Sequence, residues 1–367
     1  MQIKSVDAIP LRVPFEDGSA GVGLMPTKWT HLDFALVRLE TDDGLVGWGD
    51  AFAYSCLAPT TAAIRDMVRP LVEGQTIAPT PDGLTAFNLD LQRKLHLHGR
   101  YGITMFAISA VDIALWDLAA KAKGVPLSNF IGHCSRRQIN AYASLVRYGD
   151  PGQVREFTAT AVAEGYAYVK LHEITDAAIT AGVEAAGSKA RLMTDVNCNW
   201  SAENAEILTA RCKELGLYWV EEPVFPPDNV DALADLETRH GMAMATGENA
   251  CTSVEFARIV QAVTYPQPSV TKVGGVSEFL KVCDLADAAE KTVMPHAPYF
   301  GPGYWATLHI MAARACCGVF ERFYITPKTF LDPGIPLPRR GQITVPDAPG
   351  LGFEPAPAVI DRYRVDK

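Results

Sequence analysis

The chain has 367 residues, with 42 acidic and 33 basic side chains, a formal net charge of −9 and 48% hydrophobic residues. This composition is typical of a globular protein, and its acidity excludes a general electrostatic affinity for nucleic acid or for anionic membranes. The length exceeds what one hydrophobic core usually fills, so we expect one large domain and a smaller one.

Neither the N-terminus nor the cysteines indicate export. The opening segment MQIKSVDAIPLRVPF alternates apolar and polar residues, which predicts a strand and not a signal peptide. We see no apolar run of the length needed to span a membrane. The eight cysteines are scattered without a Cys-x-x-Cys pair, which indicates reduced thiols in the cytoplasm and neither a disulfide framework nor a zinc site.

The first third of the chain, residues 1–125, mixes strands with helices. Strands are predicted at 2–14 and 33–40, with a turn and a further strand in TDDGLVGWG. Helices are predicted at 59–73, 83–97 and 102–123. The last helix should end near Gly124 and Pro126, because glycine followed closely by proline stops a helix.

From residue 126 to about 340, short apolar strands alternate with amphipathic helices. The strands are predicted near 140–145, 167–172, 192–196, 217–221, 243–248, 267–272, 291–296 and 318–323. Eight strand-helix units at steps of about 25 residues predict a barrel of the (β/α)8 type. A doubly wound sheet lacks support, because no Gly-x-Gly-x-x-Gly follows a strand. The Pro- and Gly-rich tail, 341–367, is predicted to return to the N-terminal domain.

Three carboxylates end successive strands of the predicted barrel. Asp195, Glu221 and Glu248 are 26 and 27 residues apart, which is one repeat unit each. The carboxyl ends of barrel strands meet at one mouth, so these side chains should converge there. Converging carboxylates repel one another unless a cation lies between them, and hard oxygen ligands suit Mg²⁺ better than zinc. The sequence therefore predicts a magnesium site.

Four more polar residues end other predicted strands. Lys170 and His172 end strand two, His296 ends strand seven, and Glu321 ends strand eight. They lie in the same phase of the repeat as the carboxylates, so they should face the same mouth. Histidine titrates near neutral pH without special tuning, so His172 or His296 can act as a general acid or base.

Five sequence stretches resemble the enolase superfamily, mandelate racemase subgroup, also described as mandelate racemase/muconate lactonizing enzyme-like. They are 110–117 (AVDIALWD), 124–127 (GVPL), 219–223 (WVEEP), 247–249 (GEN) and 272–276 (KVGGV). The resemblance covers nearly the whole chain. It implies a modified (β/α)7β TIM-type barrel with an α+β capping domain, which the N-terminal segment and the C-terminal tail form together. Homo-oligomers are common in this family, so it also implies a homo-oligomer.

The resemblance implies roles for the strand-end residues. Asp195, Glu221 and Glu248 would bind Mg²⁺. Lys170 would lie against the carboxylate of a small-molecule substrate, His296 would be an acid/base residue, and Glu321 would hydrogen-bond the substrate carboxylate.

The resemblance also implies two capping loops that close the site, near 17–30 and 51–60. Lys28, Trp29 and Tyr54 in these loops are substrate-binding candidates. Asn197, which follows strand three, is a further candidate.

Two positions depart from the family pattern. His172 stands where a second lysine is expected, and Ser269 stands where an aspartate usually pairs with the histidine of strand seven. We expect Ser269 to hydrogen-bond His296 more weakly than an aspartate would. A lactonizing enzyme would hold a lysine at position 269. Lys272 is in the wrong phase to replace it, so we interpret Lys272 as structural or peripheral.

These residues predict removal of the proton next to a carboxylate. The leading hypothesis is dehydration of an aldonate or aldarate to a 2-keto-3-deoxy acid, because His172 matches a histidine of related sugar-acid dehydratases. Racemisation or epimerisation, and ring opening of a lactone or anhydro-sugar acid by a cycloisomerase, share the first step. A barrel that binds a sugar acid without catalysis is the alternative of another class.

Overall fold

The computed structural model describes residues 1–16 and 29–366, and the predicted loop residue Lys28 lies outside them. The N-terminal part contains a sheet of three long antiparallel strands, to which a short fourth strand from later in the chain is added. The three strands are β1 (Ile3–Glu16), β2 (His31–Thr41) and β3 (Val46–Ala51). In the last part of β1, the exposed residues Arg12, Pro14 and Glu16 alternate with buried ones, which is the pattern of a strand that covers a core with one face.

Helices follow this sheet and cover it. They are α1 (Leu57–Ala62), a π-helical stretch (Ala63–Val68), α2 (Arg69–Val72), α3 (Pro81–Lys94), a 3-10 turn (His96–His98), α4 (Ile103–Ala122) and α5 (Leu127–Ile131). The sheet and α4 lie in backbone contact, which requires glycine in β3. A Cβ atom at Gly49 would lie 1.9 Å from the carbonyl oxygen of Ala110.

Helix α4 is long and apolar enough to cross a membrane, with a mean hydropathy of 1.6, although we expected no such segment. Most of the helix is buried inside the protein, as in the core helix of a globular fold. It also carries buried aspartates. Asp117 accepts hydrogen bonds from the backbone of Trp48 (2.9 Å) and of Leu351 (2.7 Å), and so ties β3 and the C-terminal tail to α4.

The rest of the chain forms a parallel barrel surrounded by helices. Its strands are β4 (Gln138–Ser144), β5 (Tyr168–Leu171), β6 (Arg191–Asp195), β7 (Val220–Glu221), β8 (Met244–Thr246), β9 (Tyr265–Pro266) and β10 (Phe320–Phe323). The helices are α6 (Pro151–Ala163), α7 (Asp176–Ala186), α8 (Ala202–Glu214), α9 (Val230–His240), α10 (Thr252–Ala262), α11 (Gly275–Ala288) and α12 (Pro302–Ala313). From β4 to β9 each strand pairs with the next, and β10 pairs with β4, which confirms the (β/α)7β fold.

Strands six and seven of the barrel differ most from their predictions. Strand six was predicted at 267–272 but covers only Tyr265–Pro266, and strand seven, predicted at 291–296, is reduced to a single bridge between Val293 and Cys317. Prolines at 266, 268 and 295 explain this, because proline has no N–H to donate to a ladder. Two backbone bonds, from Met294 N and His296 N, still hold the segment beside strand six.

The C-terminal region contacts both parts of the protein. β11 (Thr326–Pro327) pairs with β1, whereas β12 (Gln342–Thr344) pairs with β4 of the barrel. The final helix, α13 (Pro357–Tyr363), packs against β1, and Val365 N donates to Pro10 O at 3.1 Å. The division at residues 125 and 340 stays a prediction.

Candidate active site

Three carboxylates meet at the mouth of the barrel. Asp195 and Glu221 are the last residues of β6 and β7, and Glu248 lies two residues beyond β8. One oxygen atom from each lies within 4.8 Å of the others. Burial, followed by the charge of Asp195, raises the pKa of Glu221 well above its ordinary value. A cation would relieve this repulsion, and a set of hard oxygen donors fits a divalent ion.

Lys170 is buried between these carboxylates. It lies on β5, and its Nζ is 3.1 Å from Glu221, 3.0 Å from Glu321 and 3.4 Å from Asp195. Burial alone would lower the pKa of Lys170, but the carboxylates of Glu221 and Glu321 raise it well above its ordinary value. The structure therefore favours the ammonium form of Lys170 beside the predicted metal ligands.

His172 follows β5 and faces the same cavity. Its Nδ1 contacts the carbonyl oxygen of Leu145, and its Nε2 lies 3.3 Å from Asp195. A carbonyl oxygen can only accept, so Nδ1 carries a proton. Nε2 is then the nitrogen that faces the cavity, beside the carboxylate of Asp195. Arg147 fixes the backbone at this point by donating to the carbonyl of His172 at 2.6 Å.

His296 faces the cavity from strand position seven. Its Nε2 is 3.0 Å from Glu248, and its Nδ1 is 3.2 Å from the hydroxyl of Tyr299. The prediction that Ser269 hydrogen-bonds His296 was wrong. Tyr299 lies between the two residues, and its hydroxyl contacts the Ser269 hydroxyl. A Ser269–Tyr299–His296 chain thus takes the place of the usual aspartate–histidine pair.

Glu321 completes the barrel side of the cavity. One of its oxygens accepts from Ser144 Oγ at 2.8 Å and contacts Lys170, and the other accepts from the backbone N–H of Ala297 at 2.9 Å. These hydrogen bonds and the ion pair with Lys170 fix the orientation of the Glu321 carboxylate. Ser144 was not predicted from the sequence, because only charged residues at strand ends were considered and serine is uncharged.

Aromatic side chains form the opposite wall of the cavity, whose volume is about 340 Å³. The centre of the Trp29 ring lies 4.8 Å from the centre of the Tyr54 ring and 5.4 Å from that of Phe323. The ring centres of Phe52 and Tyr54 are 5.1 Å apart. The Tyr54 hydroxyl donates to the carbonyl of Pro298. The predicted substrate candidates Trp29 and Tyr54 therefore line the cavity.

Asn197, the remaining substrate candidate, also lines the cavity. It adopts a left-handed conformation, with φ at +43°, and its backbone N–H donates to Asp195 at 2.9 Å. Its side-chain oxygen accepts from Arg147 at 3.3 Å. The structure thus brings Asn197 together with Asp195 and with Arg147, which contacts the backbone of His172.

Lys272 also lines the cavity, so its interpretation as peripheral was wrong. It is buried, its Nζ is 3.1 Å from Asn249 Oδ1, and it lies 4.1 Å from the centre of the Phe52 ring. The prediction assumed a strand at 267–272, where alternate residues face alternate sides. The chain forms a turn there instead, so strand alternation predicts the wrong direction for the Lys272 side chain.

The fold and the residues at this mouth define an enzyme of the enolase superfamily. Residues 153–359 match the protein family described as "Enolase C-terminal domain-like". Residues 21–132 match the family described as "Mandelate racemase / muconate lactonizing enzyme, N-terminal domain". The chain therefore belongs to the mandelate racemase/muconate lactonizing enzyme family.

Characterised relatives extend over most of the chain. It is 28% identical to arabinonate dehydratase of Saccharolobus solfataricus over 348 residues, which are 91% of each chain. It is 29% identical to D-galactarolactone cycloisomerase of Agrobacterium fabrum, covering 97% of this chain and 96% of that one. A mandelate racemase/muconate lactonizing protein from Paracoccus denitrificans PD1222, solved in complex with magnesium, has the same fold, with a TM-score of 0.85, 24% identity and coverage of 99% and 96%.

Proposed function

We propose that this enzyme uses Mg²⁺ to remove the proton next to the carboxylate of a sugar acid, and that it dehydrates an aldonate or aldarate to a 2-keto-3-deoxy acid. One observation carries the proposal. His172 and His296 face one cavity from strand positions two and seven, and the carboxylates of Asp195, Glu221 and Glu248 lie at the same mouth.

The metal would be held by Asp195, Glu221 and Glu248. When bound, Mg²⁺ supplies positive charge beside the substrate carboxylate, where negative charge develops as the proton leaves. The magnesium complex of the Paracoccus relative supports this choice of ion. Lys170, buried between Glu221 and Glu321, would add a second positive charge next to this site.

The two histidines divide the proton transfers. His172 donates from Nδ1 to Leu145, so its Nε2, which lies 3.3 Å from Asp195, is the nitrogen that would take the α-proton. We assign the acid role to His296, whose Nε2 lies 3.0 Å from the carboxylate of Glu248. It would protonate the departing hydroxyl group, and Tyr299 holds its ring in place.

The aromatic wall favours a second candidate, which is ring opening of a lactone or anhydro-sugar acid. The C–H face of a sugar ring packs against aromatic rings, whereas an open-chain polyol needs a hydrogen-bond partner for each hydroxyl. Among the described cap residues at the cavity, Trp29 and Phe52 offer ring faces, and the hydroxyl of Tyr54 already donates to Pro298. The similarity to D-galactarolactone cycloisomerase supports this candidate.

A substrate panel followed by proton NMR separates these reactions. The Mg²⁺-loaded enzyme is offered aldonates, aldarates, their lactones and anhydro-sugar acids. New 2-keto-3-deoxy signals from an open-chain acid would support dehydration, and turnover confined to cyclic substrates would support ring opening. Inversion at the α-carbon without elimination would show a racemase or epimerase. Binding of these acids without loss of any α-proton would contradict the proposal and indicate a non-catalytic barrel.

The cellular setting follows from the same proposal. We infer that the enzyme acts in the cytoplasm on a small-molecule carboxylate, without nucleic acid or membrane as a partner. A homo-oligomer stays a prediction, which light scattering of the purified protein would test.

A further inference from the structure

Three cysteine side chains meet at the end of the barrel away from the carboxylates. Cys283 lies on α11, and Cys316 and Cys317 lie in the turn between α12 and β10. Their sulfur atoms lie within 4.8 Å of one another. Cys317 precedes Glu321 by four residues of extended chain, so about 13 Å of strand separates this cluster from the active site.

The sulfur atoms have the spacing of ligands to one metal ion. Metal–sulfur bonds of about 2.3 Å place neighbouring sulfur ligands about 4 Å apart around a tetrahedral or trigonal ion. The distance between Cys283 Sγ and Cys317 Sγ is 3.9 Å. Because the ligand set is all sulfur, it suits a soft cation and not Mg²⁺.

We propose that Cys283, Cys316 and Cys317 form a site for one thiophilic cation with a filled d shell, such as Cu(I) or Zn(II). Cys283 and Cys317 are buried and Cys316 is partly exposed, so the ion would enter at Cys316. Sulfur binds metals as the thiolate, so binding displaces the S–H protons, at most three per ion, and transfers no electron. The bound ion would cross-link α11 to the strand-eight segment and add its binding free energy to the fold.

Cadmium is the probe, because its thiolate complexes absorb in the ultraviolet. The full-length protein is reduced and saturated with Mg²⁺, which occupies the carboxylates, and is then titrated with Cd²⁺. We expect one Cd²⁺ per chain, with the charge-transfer absorbance of three thiolates. Cys316→Ser, at the partly exposed position, should lose about a third of that absorbance and at least about tenfold in affinity. Cys212→Ser, which removes a buried thiol of α8, should leave both unchanged.

Cys283→Ser tests the buried part of the site, and the circular dichroism of each variant checks that it folds. Wild-type protein without thiolate–cadmium absorbance would overturn the proposal, as would equal cadmium binding by wild-type protein and the folded Cys316→Ser variant. A disulfide between Cys283 and Cys317 in protein purified without reductant, with no bound metal, would also overturn it in favour of a redox role.

Discussion

Replacing the buried residue His309 with glutamine should remove a pH dependence of stability. Nδ1 of His309 accepts from the backbone N–H of Ser128 at 3.2 Å, and Nε2 contacts the carbonyl of Leu351 at 3.0 Å. A protonated ring has no acceptor for the Ser128 N–H, so the fold accepts only the neutral form. Burial accordingly lowers the pKa of His309 from 6.5 to about 4.

The sign and size of the effect follow from proton linkage. The unfolded chain binds more protons at this position than the folded one between pH 6.5 and 4, so stability falls as the pH falls through that window. Between pH 7.5 and pH 5, this one residue should cost about 2 kcal/mol. For a chain of this length, that corresponds to about 3 °C in Tm.

Thermal unfolding of wild-type and variant protein at the two pH values measures this difference. Glutamine can accept from Ser128 and donate to Leu351 but does not titrate, so the Tm of His309→Gln should fall by about 3 °C less than that of the wild type. His133→Gln, at an exposed histidine, is the matched control and should behave like wild type. An unchanged pH dependence in the His309 variant would refute the reasoning.

Three further predictions concern the site and the cap. Glu221→Gln removes a predicted metal ligand and should weaken Mg²⁺ binding at least about tenfold by calorimetry; unchanged affinity would exclude Glu221 as a ligand. Tyr299→Phe should lower kcat about tenfold or more with little change in KM, because only the orientation of the acid is lost; equal kcat would remove Tyr299 from the account. Gly49→Ala places a methyl group against the carbonyl of Ala110, so it should lower the free energy of unfolding, measured with urea, by about 1–3 kcal/mol or more. Gly132→Ala, with open space at its Cβ, is the control. Equal losses in the two variants would contradict the close contact between β3 and α4.

The metal-ligand candidates and the fold were predictable because the barrel repeats. A carboxylate at one phase of a repeat of about 25 residues must face the same mouth in each unit, so the convergence of Asp195, Glu221 and Glu248 follows from spacing. His172 and His296 were found in the same way. Their catalytic roles, and those of the carboxylates as ligands, stay proposals.

Features that depend on contacts between distant segments were not predictable. Tyr299 reaches Ser269 across 30 residues, and no spacing rule links a residue of one loop with a residue of another. Lys272 was placed wrongly because prolines end strand six early. Cys283 and Cys317 lie 34 residues apart in sequence and meet only because α11 packs beside α12, and Cys317 lies in the turn that follows α12.

The most direct test of the proposed mechanism is α-proton exchange in D₂O by the His296→Asn variant, with the acid that the wild-type enzyme turns over. If His172 is the base and His296 the acid, this variant should incorporate deuterium at the α-carbon without releasing water, and removal of Mg²⁺ with EDTA should stop the exchange. His172→Asn should bind the same acid and exchange nothing. Exchange that continues in His172→Asn, or that is indifferent to EDTA, would contradict magnesium-dependent proton removal by His172.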